Sequence, residues 1–179
     1  ASSARSMVYK AAAQKAGSQI LPEGDVNIAV LLVQFKDEKF TYSKEDFNNI
    51  LNTKDYVYEN PIANSIGSAR DYFMAQSDGK FRPNFIVTDI VTLDNDMVYY
   101  GGNDSSDNDQ RATYMVKEGI KKADAAGFDF SKCDNNGDGE VEFIYCIYAG
   151  YSESYGADEN TVWPHQWQLS AEAGSITVD

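Results

Sequence analysis

Residues 26–35 read Val-Asn-Ile-Ala-Val-Leu-Leu-Val-Gln-Phe, apolar apart from Asn27 and Gln34. A run this short, rich in β-branched residues and without apolar–polar alternation, predicts a strand covered on both faces. It falls far short of the ~20 apolar residues needed to cross a bilayer. A doubly covered strand calls for helices on either side of a sheet, and the flanking sequence supplies them. Ser43 with Asp46 forms a capping-box start, followed by Phe47, Ile50 and Leu51 at helical spacing. Ser68 with Asp71 repeats that start ahead of Ala69, Tyr72 and Phe73, with Gly79 as the C-cap. Residues 85–93 read as a second strand and residues 99–109 as an acidic, glycine-containing loop. Ala112, Met115, Val116, Gly119, Ile120 and Ala123 then mark one face of a helix that Gly127 closes. Residues 141–149 read as a third strand, and residues 7–16 as a short alanine-rich helix ended by Gly17. Strand, helix, helix, strand, helix, strand, without an internal repeat, predicts the α/β (α+β) class: one mixed, twisted sheet with helices packed on it.

The chain has 179 residues, 42% hydrophobic and 24% charged, which is enough for one ordinary domain with its own core. With 15 basic and 28 acidic residues its formal charge is -13, which argues against nucleic acid and anionic membranes as partners. Such a surface suits a secreted or cell-surface protein, or one that binds cations. From residue 1 to Pro22 the only charges are Arg5, Lys10 and Lys15. That change in composition marks residues 1–24 as a linker or pro-segment remnant ahead of a folded unit over residues 25–179. Cys133 and Cys146 are too few for a disulfide scaffold, and the geometry a bridge demands favours two free thiols.

The sharpest local signal is Asp134-Asn135-Asn136-Gly137-Asp138-Gly139-Glu140-Val141-Glu142. Oxygen side chains at loop positions 1, 3 and 5 (Asp134, Asn136, Asp138) converge on one point, and Gly139 permits the sharp turn. The carbonyl of Glu140 serves at position 7, and Val141 anchors the loop to the sheet. This is the logic of a calcium loop, with calcium favoured over magnesium because the ligands are many, flexible and all oxygen. Position 12 is Tyr145, which cannot supply a bidentate carboxylate. Glu142 at position 9 replaces it, and a strand rather than a helix follows. The expectation is therefore a structural calcium loop at the entrance to a strand, set against a plain Asp/Asn/Gly turn without metal.

The single histidine, His165, lies between Trp163 and Trp167. Catalytic zinc needs about three protein ligands, so His165 cannot form such a site alone. It reads first as packing between the tryptophans. No Gly-x-Ser-x-Gly elbow is present, and the acids around Cys133 would raise its pKa.

Several blocks, taken in order, resemble the N-terminal half of the catalytic domain of immune-inhibitor-A-type secreted metallopeptidases. They are Leu31-Leu32-Val33-Gln34-Phe35-Lys36-Asp37, Gly67-Ser68-Ala69-Arg70-Asp71-Tyr72-Phe73 and Gln76-Ser77-Asp78-Gly79-Lys80-Phe81. Val98-Tyr99-Tyr100-Gly101, Phe128-Asp129-Phe130, Tyr148-Ala149-Gly150-Tyr151 and the Trp163-x-His165-x-Trp167 box complete the series. The resemblance implies a zincin-like upper subdomain of a bacterial, secreted zinc endopeptidase that acts on protein or peptide substrates and is often stabilised by calcium. It assigns the calcium role to Asp134, Asn136, Asp138, Glu140 and Glu142. The family's zinc chemistry belongs to a His-Glu-x-x-His helix, which would lie downstream of the Trp-x-His box. No such motif occurs in these residues, so no catalytic residue is assigned. Zn2+ is expected only in a complete enzyme that includes a C-terminal remainder, and the chain by itself is expected to be inactive. The strand at residues 141–149 would lie near the cleft, where an extended substrate could pair with an exposed edge. The alternative is a non-catalytic, secreted, calcium-dependent adhesion or glycan-binding module exposing its Tyr and Trp side chains.

Overall fold

All of the run at residues 26–35 except Phe35 lies within an 11-residue strand in the interior of a sheet. The structure is a computed structural model, and it describes residues 5–10, 23–59, 65–164, 166–169 and 174–178. In chain order the elements are β1 (Arg5–Lys10), β2 (Gly24–Gln34), α1 (Lys44–Asn52), β3 (Val57–Tyr58), β4 (Ser65–Ile66) and α2 (Ala69–Gln76). Then come β5 (Phe81–Thr92), α3 (Met97–Gly101), α4 (Ala112–Ala125), β6 (Ile144–Tyr148) and β7 (Gln166–Gln168). Short 3-10 turns occupy Phe130–Cys133 and Glu153–Tyr155. Among the described residues five strands form one sheet in the order β5-β2-β6-β1-β7, and β3 and β4 form a separate antiparallel pair. β2 runs parallel to β5 and β6, whereas β1 is antiparallel to β6 and parallel to β7, so the sheet is mixed and the fold is α/β.

The period of two sorts the side chains of β2 into two cores. Ala29, Leu31 and Val33, with Phe35 beyond the strand, join Met115, Val116 and Ile120 of α4 and Ile144, Cys146 and Tyr148 of β6. Val30 and Leu32 point the other way, to Phe47 and Leu51 of α1, Phe85 and Val87 of β5, and Ile147. Gly119 lets α4 come this close, because a Cβ there would lie 2.7 Å from Val33 Cγ1. Both capping boxes form: Ser43 and Asp46 open α1, and Ser68 and Asp71 open α2. The α2 face is less buried than its pattern suggests, with Tyr72 and Phe73 exposed. Ser77 caps α2, and Gly79 closes the next turn by donating its N–H to the Met74 carbonyl.

Four sequence expectations change. Residues 7–10 (Met-Val-Tyr-Lys) belong to strand β1, not to a helix, because Val8 and Tyr9 are good strand residues and β6 pairs with them. Residues 11–17 lie outside the described residues. Tyr99, Tyr100 and Gly101 end a short helix instead of starting the acidic loop. The third strand starts at Ile144, three residues later than expected. It also lies between β2 and β1, so it offers no free edge to an extended substrate.

The register between β2 and β5 slips between the pairs Val30↔Val87 and Leu32↔Ile90. Thr88, fully buried at the slip, accepts the Leu32 N–H on its hydroxyl at 3.0 Å. Thr88→Val keeps the shape and removes that acceptor, leaving a buried donor unpaired. The expected loss is about 1–3 kcal/mol in urea unfolding. Thr92→Val, whose hydroxyl serves the exposed Gln34 amide, should cost less than about 0.5 kcal/mol. Equal losses in the two variants would show that the bulge does not depend on Thr88.

Candidate metal site

The 134–142 loop lies between the 3-10 turn and β6, and its folding follows from its side-chain oxygens. Asp134 acts as the hub. Its Oδ1 accepts the N–H groups of Gly137 at 2.8 Å and Asp138 at 3.3 Å, and its Oδ2 accepts that of Gly139 at 2.8 Å. Gly139 has φ +81°, the left-handed backbone that aims its N–H inward and that glycine adopts without strain. Burial works against ionisation of Asp134, but the N–H donors of Gly139, Gly137, Asp138 and Asn136 outweigh it. They hold the carboxyl below the usual carboxylate range. Asn136 Oδ1 accepts the Asp138 N–H at 2.9 Å, and Asp138 Oδ1 accepts the Glu140 N–H at 3.0 Å.

Glu142 differs from the other loop acids because it is only 6% exposed. Its Oε2 accepts from the Asn135 N–H at 3.3 Å and the Asn135 amide at 3.4 Å. Its Oε1 is buried and has no hydrogen-bond partner. A buried acceptor oxygen with no donor, beside a loop of oxygen side chains, is the feature here that fits a hard cation. The arrangement is not a gathered carboxylate cluster, however. Among the described residues no group of three or more His, Cys, Asp or Glu side chains stands where it could hold a metal. Asp134, Asn136 and Asp138 turn their oxygens onto the loop's own N–H groups, and Glu140 is exposed.

Asn135, which the ligand pattern passes over, proves to be the anchor. Its Oδ1 accepts the Asn27 N–H at 2.8 Å, and its Nδ2 donates to the Asn27 carbonyl at 3.0 Å. The Asn27 side chain in turn donates to the Lys132 carbonyl at 2.7 Å. The loop is thereby pinned to the beginning of β2. The signal in the sequence was Asn27 itself, a polar residue interrupting an apolar run.

The other candidates separate. His165 lies outside the described residues. Trp163 is 48% exposed. Cys133 and Cys146 are free and buried. Burial, then the charges of Asp129 and Glu142, push the Cys133 thiol up to about 11, which leaves it no nucleophile. A cavity of about 1050 Å³ opens on the α1–α2 side, with Phe47, Leu51, Tyr145 and Ile147 on its walls. Asp55 and Asp71 are its lining acids, and Asp71 is committed to the Ser68 and Asp55 N–H groups and is not poised as a general base. Zinc does not fit the residues present, because the chain has one histidine and no His-Glu-x-x-His.

The class that the structure defines is an α/β sheet with helices on both faces and an oxygen-rich loop leading into its third core strand. Residues 25–178 match the family described as immune inhibitor A peptidase M6, catalytic domain, and the chain belongs to that family. It is similar to immune inhibitor A of Bacillus thuringiensis subsp. alesti, at 26% identity over 189 aligned residues. The alignment takes in 86% of this chain and 27% of that protein, so the chain spans about a quarter of the relative's length.

Proposed function

We propose that this chain is the N-terminal, zincin-like upper subdomain of a secreted bacterial zinc endopeptidase, with residues 1–24 as a linker or pro-segment remnant that lends strand β1 to the sheet. The observation that supports the reading most is the family match over residues 25–178 in a chain with a single histidine. In this reading the zinc-binding helix belongs to a C-terminal remainder of a longer protein, and the substrates are proteins or peptides. Calcium is held at the 134–142 loop by Asp134, Asn136, Asp138, the Glu140 carbonyl and Glu142, with Glu142 Oε1 as the buried oxygen that awaits it. The ion neutralises the loop's carboxylates and secures it, through Asn135, to the start of β2.

The purified chain should hydrolyse neither casein nor fluorogenic peptides. Adding the remainder that bears the zinc helix should give turnover that a zinc chelator abolishes. Chelator-sensitive turnover by the chain alone would overturn the reading.

A further inference from the structure

Asn103 and Asp109 pair across an isolated antiparallel bridge, which sets their side chains next to each other on one face. Asp109 Oδ2 accepts the Trp163 N–H at 2.8 Å. Asp109 Oδ1 is buried and receives no donor, and the same is true of Asn103 Oδ1. Two neighbouring buried acceptors without a donor are costly. One hydrogen between them relieves both, and a carboxylate cannot provide it, whereas a protonated carboxyl can.

We propose that Asp109 and Asn103 share a proton, making an acid latch that holds the Trp163 segment against the domain and loosens when the proton leaves. The latched segment is already tightly seated. A Cβ on Gly101 would stand 2.5 Å from the Val162 nitrogen, and Tyr148 Oη donates to the Val162 carbonyl at 2.9 Å. Beyond Trp163, Pro164 lines the cavity together with Ser154, so release of the latch frees one of its walls.

The charges around Asp109 favour the proton. Glu153, from the 3-10 turn packed against this region, adds a like charge. On Asp109's own loop, Asp104 accepts from the Ser106 and Asn108 N–H groups, and Asp107 is exposed. Arg111 lies over the Tyr99 ring and donates to the Tyr99 carbonyl. Asp158 accepts from Asn160. Burial raises the Asp109 carboxyl most, the Trp163 N–H pulls it down, and Glu153 raises it again, leaving it at about 6. Because the folded value lies above the ordinary 3.8, the latch's stability is fully present below about 3.8 and is lost as pH rises through about 6.

Carbon-13 NMR of the carboxyl groups in the native chain, assigned by triple resonance, reads this directly. The Asp109 signal should titrate near pH 6, and Trp163 amide exchange should speed up over the same range beyond its intrinsic pH dependence. Asp109→Asn places an amide N–H beside Asn103 at every pH. Its Tm should therefore gain on the native Tm as pH rises from 5 to 7.5. A titration below about pH 4.5 would overturn the latch, placing the Asn103 amide N–H against the carboxylate instead. Calcium that raises the native Tm in Asp134→Ala but not in Asp134→Ala/Asp109→Asn would also overturn it, in favour of a cation between the two oxygens.

Discussion

Gly101→Ala is expected to lower stability by about 3 kcal/mol, the largest loss predicted here for one added methyl group. Gly101 is buried at the end of α3, where a Cβ would lie 2.5 Å from the Val162 nitrogen and 2.6 Å from the Thr161 carbonyl carbon. Both are backbone atoms, and the segment is held by Tyr148 Oη on one side and Asp109 on the other, so it cannot step aside cheaply. Helix propensity favours alanine by up to about 1 kcal/mol. The clash with fixed backbone exceeds that gain, and Tm should fall by about 6–12 °C. An unchanged Tm would show that the 161–163 segment is not seated on α3.

Calcium should raise the Tm by roughly 5–10 °C, the second large effect. An ion that binds only the folded state stabilises by RT ln(1 + [L]/Kd), about 2.7 kcal/mol at a hundredfold excess over Kd. The gain comes from a loop in which Glu142 Oε1 otherwise has no partner. Asp134→Ala, Asp138→Ala and Glu142→Gln should each abolish the shift. Asp134→Ala should also lower the Tm in chelator, because it removes the acceptor of the Gly137, Asp138 and Gly139 N–H groups. Asp104→Ala, in the other acidic tract, should leave the shift intact. Equal melting in calcium and in chelator, at matched ionic strength, would reduce the loop to an ordinary turn.

Elements fixed by local chemistry were readable before the fold was seen. The two-faced burial of β2 follows from its apolar run. The buried face of α4 contains every residue its periodicity named, with Thr113 in addition. Serine and aspartate three residues apart mark the starts of α1 and α2. What could not be read depends on distant partners. Residues 7–10 read as helix only together with the alanines that follow them, yet they are strand, because Val8 and Tyr9 favour it and β6 has a side to pair. Pro83 hid the first four residues of β5, since proline is a poor strand residue. It is tolerated because, among the described residues, β5 lies at the sheet's edge, beside β2 alone. In the candidate site the oxygen pattern from Asp134 to Glu142 was legible. The Asn135–Asn27 clamp spans 108 residues; its one local trace is Asn27 interrupting an apolar run, and nothing in the sequence pairs it with Asn135. The orphaned pair Asn103 and Asp109 was hidden inside a tract that reads only as acidic.

Metal analysis of the purified chain, after incubation with excess zinc and calcium and removal of free ions, tests the central claim most directly. The account predicts about one calcium per chain and no stoichiometric zinc, because one histidine cannot supply a catalytic zinc site. One zinc per chain and no calcium would contradict it.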